Sequence, residues 1–257
     1  MDLGLNGKVA IVTGGSRGIG RAIALGLADE GCAVCICARG EEALAETAAG
    51  IRARGVEALA VPADVTRPEQ IVRVVDETRR TFGRIDILVN NAGGSLGAGG
   101  FLDSPDGVWA KVLDTNLWAA IRFSRLVLPE MQRQRGGVII TISSIYGREG
   151  GGAPSYNVAK AAENSLGKAM AKEFASNGIR VVTVAPGSIL FQGGAWQKRL
   201  DADPQAISDF VRRDMPYGRF GMPEEVANVV VFLASERANL VTGACIPVDG
   251  GQGRSNL

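Results

Sequence analysis

Short, continuously apolar runs alternate with longer amphipathic stretches along nearly the whole chain, and that alternation leaves few folds open. Residues 8–13 (KVAIVT), 33–37 (AVCIC), 56–61, 85–89 (IDILV), 138–143 (VIITIS), 179–185 (IRVVTVA) and 244–248 read as strands. Residues 18–30, 41–54, 68–82, 106–133, 154–176 and 223–234 read as the helices between them. Val/Ile-rich runs without polar alternation belong to parallel strands covered on both faces. Strand–helix alternation then implies an α/β, doubly wound Rossmann fold: a mostly parallel seven-stranded sheet, right-handed crossovers and helices on both sides. No linker, low-complexity tract or repeat divides the chain, so residues 1–257 are expected to form a single domain. One segment breaks the rhythm. Residues 188–221, rich in Gly, Trp and charge, follow the carboxyl end of a strand, where such sheets place their substrate loops. Within it, residues 190–215 are expected to form a helical lid.

Composition removes several classes of function. Net charge is +1 with no basic stripe, which argues against nucleic acid as a partner. No apolar run reaches the ~18 residues of a membrane span. The first residues, Met1-Asp2-Leu3-Gly4, lack the basic-then-apolar pattern of a signal peptide, so the cytoplasm is the expected location. There is no His, which removes every Ser-His or Cys-His hydrolytic mechanism. Of Cys32, Cys35, Cys37 and Cys245, only Cys32 and Cys35 have C-x-x-C spacing, and with no second such pair and no His no metal site is expected. The cysteines read as small buried hydrophobes of a reducing compartment.

After the first strand the chain reads Thr13-Gly14-Gly15-Ser16-Arg17-Gly18-Ile19-Gly20. Gly14 permits a tight turn, Gly18 lets backbone approach a pyrophosphate, and Gly20 lets the helix pack on the strand. Free amides at the helix start then face phosphate charge. A dinucleotide is the ligand this turn suits. NAD enzymes place an acid at the end of the second strand to bond the ribose 2′-hydroxyl. Here that strand ends Cys37-Ala38-Arg39. Arg39, with Arg17 nearby, suits a 2′-phosphate instead, so NADP(H) is favoured over NAD.

The spacing G-x-x-x-G-x-G resembles the short-chain dehydrogenase/reductase family. So do Asn90-Asn91-Ala92-Gly93, Tyr156-x-x-x-Lys160, Pro186-Gly187 and Val248-Asp249-Gly250-Gly251, in that order along nearly the whole chain. The resemblance implies cofactor contacts from Gly14, Ser16, Arg17, Gly18, Ile19 and Gly20. It further implies them from Arg39, Asp64, Val65, Asn90, Ala92, Gly93, Tyr156, Lys160, Pro186, Gly187 and Ile189. Asp64-Val65 would meet the adenine. Asn116 would hold a water that relays protons from the lysine.

The chemistry fits the pair. Tyr156 and Lys160, four apart, share one helix face. Hydride transfer at a carbonyl or carbinol needs a proton transfer on oxygen. A phenol supplies it once its pKa falls from about 10 toward neutrality, as a neighbouring ammonium promotes. The catalytic serine polarises the substrate oxygen. The Ser-x-x-Gly pattern points to Ser144, whereas counting thirteen residues back from Tyr156 points to Ser143. Strand alternation lets only one of them face the cleft, and Ser144 is taken. Tyr146 is a second phenol close by.

One position departs from the family. Phe191 stands where a Thr usually bonds the nicotinamide carboxamide, leaving backbone groups, Ser188 or Gln192 to replace it. The expected activity is an NADP(H)-linked interconversion of a ketone and a secondary alcohol, with a small-molecule carbonyl or alcohol as partner. Residues 219–226 (RFGMPEEV) and 243–251 are similar to 3-oxoacyl-carrier-protein reductases. A catalytically silent NADP(H)-binding regulator is the alternative of another class. The resemblance also implies a homotetramer or homodimer.

Overall fold

The computed structural model describes residues 2–256. Seven strands form one parallel sheet: β1 (Val9–Thr13), β2 (Ala33–Ala38), β3 (Ala58–Pro62), β4 (Ile87–Asn90), β5 (Gly137–Ile142), β6 (Ile179–Pro186) and β7 (Cys245–Val248). Their order is β3-β2-β1-β4-β5-β6-β7. β1 pairs with β2 on one side and β4 on the other, Ile11 opposite both Cys35 and Leu88. The strand order reverses there, and crossovers leave to opposite sides, so a crevice opens beyond the carboxyl ends of β1 and β4. The expected doubly wound fold is the observed one.

Alternating residues send side chains to two cores. Ala10, Val12, Val34 and Ile36 face one, covered by α1 (Gly18–Asp29), α2 (Glu41–Arg52) and α9 (Pro223–Ala234) through Ile23, Leu27, Leu44, Ile51, Val226 and Val230. Ile11, Cys35, Cys37, Leu88 and Ile139 face the other. It is covered by α3 (Pro68–Phe82), α5 (Ala119–Gln134) and α6 (Pro154–Phe174) through Ile71, Val74, Phe123, Met131 and Met170. The cysteines are thus packing residues. Burial pushes the Cys32 and Cys35 thiols up to about 12, and Cys37 higher still.

Helix ends follow local chemistry. α3, α6 and α9 each begin with Pro in the first turn, where no amide hydrogen is needed. α3 stops at Gly83 in the left-handed conformation, φ 75°. Two sequence expectations differ in detail. β3 begins at Ala58 rather than at residue 56, and β4 at Ile87 rather than at residue 85. The long helix expected over residues 106–133 is α4 (Asp106–Leu113), one π turn (Asp114–Trp118) and α5. Residues 188–221 carry α7 (Ala195–Ala202) and α8 (Pro204–Asp214), the helices expected of a lid.

Candidate active site

The glycine turn joins β1 to α1 at the crevice. Gly14 has φ +66° and Gly18 φ +53°, both in the region that favours glycine. A β-carbon on Gly20 would lie 2.3 Å from the Gly14 carbonyl oxygen and 2.4 Å from Asn91 Nδ2. The third glycine therefore seats the helix on the turn itself. Neighbouring strand ends hold the turn in place. Gly14 N–H donates to Cys37 O at 2.8 Å, and Asn91 Nδ2 donates to Thr13 O at 2.8 Å. Thr13 Oγ1 accepts from the Asn91 and Ala92 amides, both at 2.9 Å. No side chain caps the N-terminus of α1, so its first amides remain open toward the crevice. Asn90, at the end of β4, donates from Nδ2 to Ser124, while its buried Oδ1 has no partner among the described residues. Uncapped amides at a glycine cradle and an orphaned acceptor on the adjoining strand fit a dinucleotide.

On the adenosine side, Arg39 is exposed at the end of β2. Asp64 lies beyond the adjacent end of β3, its Oδ1 accepting from Thr66 N at 2.9 Å and from Thr66 Oγ1 at 2.8 Å. Those bonds, aided by Arg39 and Arg67, hold its carboxyl below the usual range against partial desolvation. Val65 is buried next to it. Ser16 is half-buried, its carbonyl held by Thr47 Oγ1 at 3.2 Å, and Ile19 packs on the first core. Arg17 turns the other way, Nη1 reaching the Gly193 carbonyl at 3.3 Å.

Deeper in the cleft, four elements converge. α6 presents half-buried Tyr156 and buried Lys160, whose Nζ lies 5.6 Å from the phenol ring centroid. A β-carbon on Gly93 would lie 2.4 Å from Asn116 Oδ1 and 3.2 Å from Lys160 Nζ, so these three residues touch. Asn116 sits in the π turn. Its Nδ2 donates to Gly94 O at 3.0 Å and Val112 O at 2.7 Å, and its Oδ1 accepts from Gly94 N at 2.9 Å. One extra residue in the turn aims this carboxamide at the strand end, a common use of π bulges.

The two serines part as strand alternation requires. Ser143 Oγ donates to the Lys160 carbonyl at 3.1 Å and packs against Gly147, pinning β5 to α6. Ser144 Oγ accepts from Tyr146 N at 3.2 Å, and among the described residues its own hydrogen has no acceptor. Tyr146 is half-buried against Gly151 and Gly152. Asn157 bonds the Tyr146 and Glu149 carbonyls and the Gly151 amide, fixing the loop over the cleft.

Lys160 is tied down more firmly than its sequence motif suggests. Nζ donates to the Ile142 carbonyl at 2.9 Å and to both carboxylate oxygens of Glu163, at 3.1 and 2.9 Å. The side chains are 3% and 2% exposed. Burial opposes the ammonium, but Glu163, with Tyr156, outweighs it and holds the lysine above its usual pKa. Sequence reading passed over Glu163, because an acid three residues from a lysine on a helix ordinarily marks a solvated face. It also passed over Thr13 and Asn157.

Beyond β6, Pro186 and Gly187 reach the crevice. Gly187 N–H donates to Val248 O at 3.1 Å, and a β-carbon there would lie 2.7 Å from Gln252 Oε1. Ser188 is committed to Gln252, accepting at Oγ from Nε2 at 2.9 Å and donating its amide to Oε1 at 2.7 Å. Of the expected replacements for Thr, Ser188 is thereby fixed in place by Gln252 without giving up its hydroxyl hydrogen, and Gln192 is exposed. Ile189 is buried and bridges to Gly221. Phe191 turns its ring onto the glycine turn: a β-carbon on Gly18 would lie 2.7 Å from it. The lid has a small core of its own. Trp196 stacks on Phe210 with centroids 4.6 Å apart, and Ile207, Met215 and Phe220 complete it.

Comparison with known proteins shows which family the chain resembles over nearly its whole length. A family model described as enoyl-(acyl carrier protein) reductase matches residues 14–252. The 3-oxoacyl-[acyl-carrier-protein] reductase of Staphylococcus epidermidis is 39% identical over 249 residues, 95% of this chain and 98% of that protein. The Escherichia coli reductase of the same name is 39% identical over 253 residues, 97% and 98% of the two chains. L-sorbose reductase from Gluconobacter frateurii, solved with NADPH and L-sorbose, superposes with a TM-score of 0.93 at 38% identity, covering 99% of this chain and 100% of that one. A 7α-hydroxysteroid dehydrogenase solved with NADH and 7-oxoglycochenodeoxycholic acid superposes at 0.90 with 33% identity, covering 99% and 98%.

Proposed function

The chain belongs to the short-chain dehydrogenase/reductase family, oxidoreductases acting on CH–OH and ketone groups, and on that premise we propose an NADP(H)-dependent ketone reductase with Tyr156 as general acid and base. The observation that carries this reading is the convergence of Tyr156, Lys160, Asn116 and Gly93 at the carboxyl end of β4. When bound, the nicotinamide supplies or accepts the hydride. Tyr156 Oη gives its proton to the substrate oxygen as the carbonyl carbon becomes a carbinol, and takes it back in the reverse direction. Ser144, with its hydroxyl hydrogen uncommitted, donates to the same oxygen. Lys160 stabilises the resulting phenolate, and a water held by Asn116 returns the proton.

The glycine turn, with Ser16, Arg17 and Ile19, holds the pyrophosphate. Asn90, Ala92, Gly93, Pro186, Gly187 and Ile189 line the remainder of the dinucleotide, with Asp64 and Val65 at the adenine. Arg39 reads the 2′-phosphate: it follows β2 where an NAD enzyme carries an acid, and the carboxylate of Asp64 beyond β3 is turned onto Thr66. The 39% relatives favour a 3-oxoacyl thioester within this class, while L-sorbose reductase extends it to polyols. The chain acts as a cytoplasmic homodimer or homotetramer, and Trp118 and Val158, about half exposed, offer apolar surface for assembly.

Tyr156→Phe tests the assignment. Turnover of a ketone panel should fall by about a thousandfold, the middle of the ~10²–10⁴ range for acid–base catalysis. Binding of NADPH, followed by fluorescence, should survive. Retained turnover removes Tyr156 as the acid. A wild-type protein that binds NADPH but reduces no ketone in the panel would instead be the silent regulator.

A further inference from the structure

Resting on that reading, we propose that Glu163 is a positioning residue that holds the Tyr156–Lys160 pair in its fully protonated form, biasing the site toward carbonyl reduction. The carboxylate grips Lys160 Nζ with both oxygens, at 3.1 and 2.9 Å. Neither side chain has access to bulk water. Glu163 makes no other hydrogen bond among the described residues, so its whole polar capacity is spent on the lysine. A carboxylate placed in a core at the cost of its hydration is kept only with a strong compensating contact. Here the compensation is the ammonium beside the phenol.

The charges around the pair come from few groups. On α6 they are Tyr156, Lys160 and Glu163. β5 contributes the Ile142 carbonyl and the Ser143 hydroxyl, and β6 contributes Thr183 Oγ1 against Gly167. The turn after β5 carries the Tyr146 phenol. The π turn presents neutral Asn116, and its acid, Asp114, is paired with Arg122 at 2.6 Å. Among the described residues Glu163 is therefore the one carboxylate in contact with the lysine.

Its effect follows from counting protons. With Glu163 ionised, phenol, ammonium and carboxylate together are neutral, and losing a proton leaves a buried net negative charge. Without it, phenol and ammonium carry +1, and losing a proton leaves a neutral pair. Whichever of the two groups gives up the first proton, it leaves at lower pH when the carboxylate is gone. Reduction needs the fully protonated pair: the carbonyl carbon gains a hydride, its oxygen gains the Tyr156 proton, and a phenolate remains beside the ammonium. Glu163 extends the pH range over which that starting state persists.

Glu163→Gln keeps the shape and an acceptor oxygen while removing the charge. The alkaline descent of kcat/KM for ketone reduction should move to lower pH by about one unit or more. A second readout needs neither cofactor nor turnover. In Glu163→Gln the buried ammonium is unpaired, so its folded-state pKa falls below the unfolded value and stability is regained as pH rises through it. The Tm deficit against wild type should therefore narrow between about pH 7 and 10, whereas a packing role gives a constant deficit. Should Gln not fold, Glu163→Asp, whose carboxylate is one methylene further from Nζ, should move the descent in the same direction by less. An alkaline descent at the wild-type pH, together with a Tm deficit that is constant with pH, overturns the proposal. If Tyr156→Phe is inactive at the same time, the failure belongs to Glu163 alone and the acid role of Tyr156 stands.

Discussion

The two ends of the crevice are built on different principles. The glycine turn is backbone held by its immediate neighbours, by amides and by one fixed carboxamide: Gly14 N–H on Cys37 O, the Thr13 and Gly14 carbonyls on Asn91 Nδ2, Gly20 pressed against Gly14. The lid between β6 and α9 is side chain held by side chain. Trp196, Phe210 and Phe220 stack over Ile207 and Met215, separate from both cores of the sheet. A site made of amides tolerates no change of shape but is indifferent to most side chains. A site made of stacked rings is free to change its inner surface while the sheet remains intact. That division suits a rigid seat for an invariant cofactor facing a replaceable wall for the substrate.

Gly20→Ala should produce the largest effect. Its β-carbon would fall 2.3 Å from a carbonyl that has no room to retreat. Loss of several kcal/mol, about 3 or more, should appear as insoluble protein or as a folded chain without NADPH affinity. A soluble Gly20→Ala with wild-type NADPH binding would break the contrast. Trp196→Ala comes next. It empties part of the lid core, at about 2 kcal/mol for a half-buried ring, less than a fully buried one would cost. It should raise KM for the ketone severalfold while Tm moves by only a few degrees. A cooperative loss of the whole fold would show that the lid is not a separate body. Arg39→Asp should have the smallest effect, weakening NADPH by about tenfold relative to NADH. Equal losses for both dinucleotides would show that Arg39 does not read the phosphate.

Much of the sheet and of the glycine turn was legible because each rests on a local rule. Continuous Val/Ile runs demand two covered faces. Three glycines at fixed spacing demand a turn that only glycine can make. Tyr156 and Lys160 were legible because i and i+4 share a helix face. Features requiring two distant segments were not. Phe191 is conspicuous in sequence as a missing Thr, but nothing near residue 191 says that its ring rests on Gly18. The bond from Gln252 that orients Ser188 spans 64 positions and leaves no local trace. The π turn at Asn116 leaves no periodic trace, since one added residue in a helical stretch shifts the register without breaking it. That Ser143 bonds the Lys160 carbonyl while Ser144 does not was likewise beyond the reach of sequence, since the partner lies 17 positions away.

The contact of Phe191 with Gly18, and of Arg17 with the Gly193 carbonyl across 176 positions, also bears on how the molecule comes into being. The glycine turn leaves the ribosome early, but the residues that close over it come near the end of synthesis. A nascent chain that has made only β1 to β5 has a phosphate seat open on one side. The first half of the sheet is therefore not a detachable nucleotide-binding module, and truncating the chain before residue 188 would strip the seat of its cover as well as its substrate wall. Such long-range closures slow folding, because chain entropy is lost before the contact is gained.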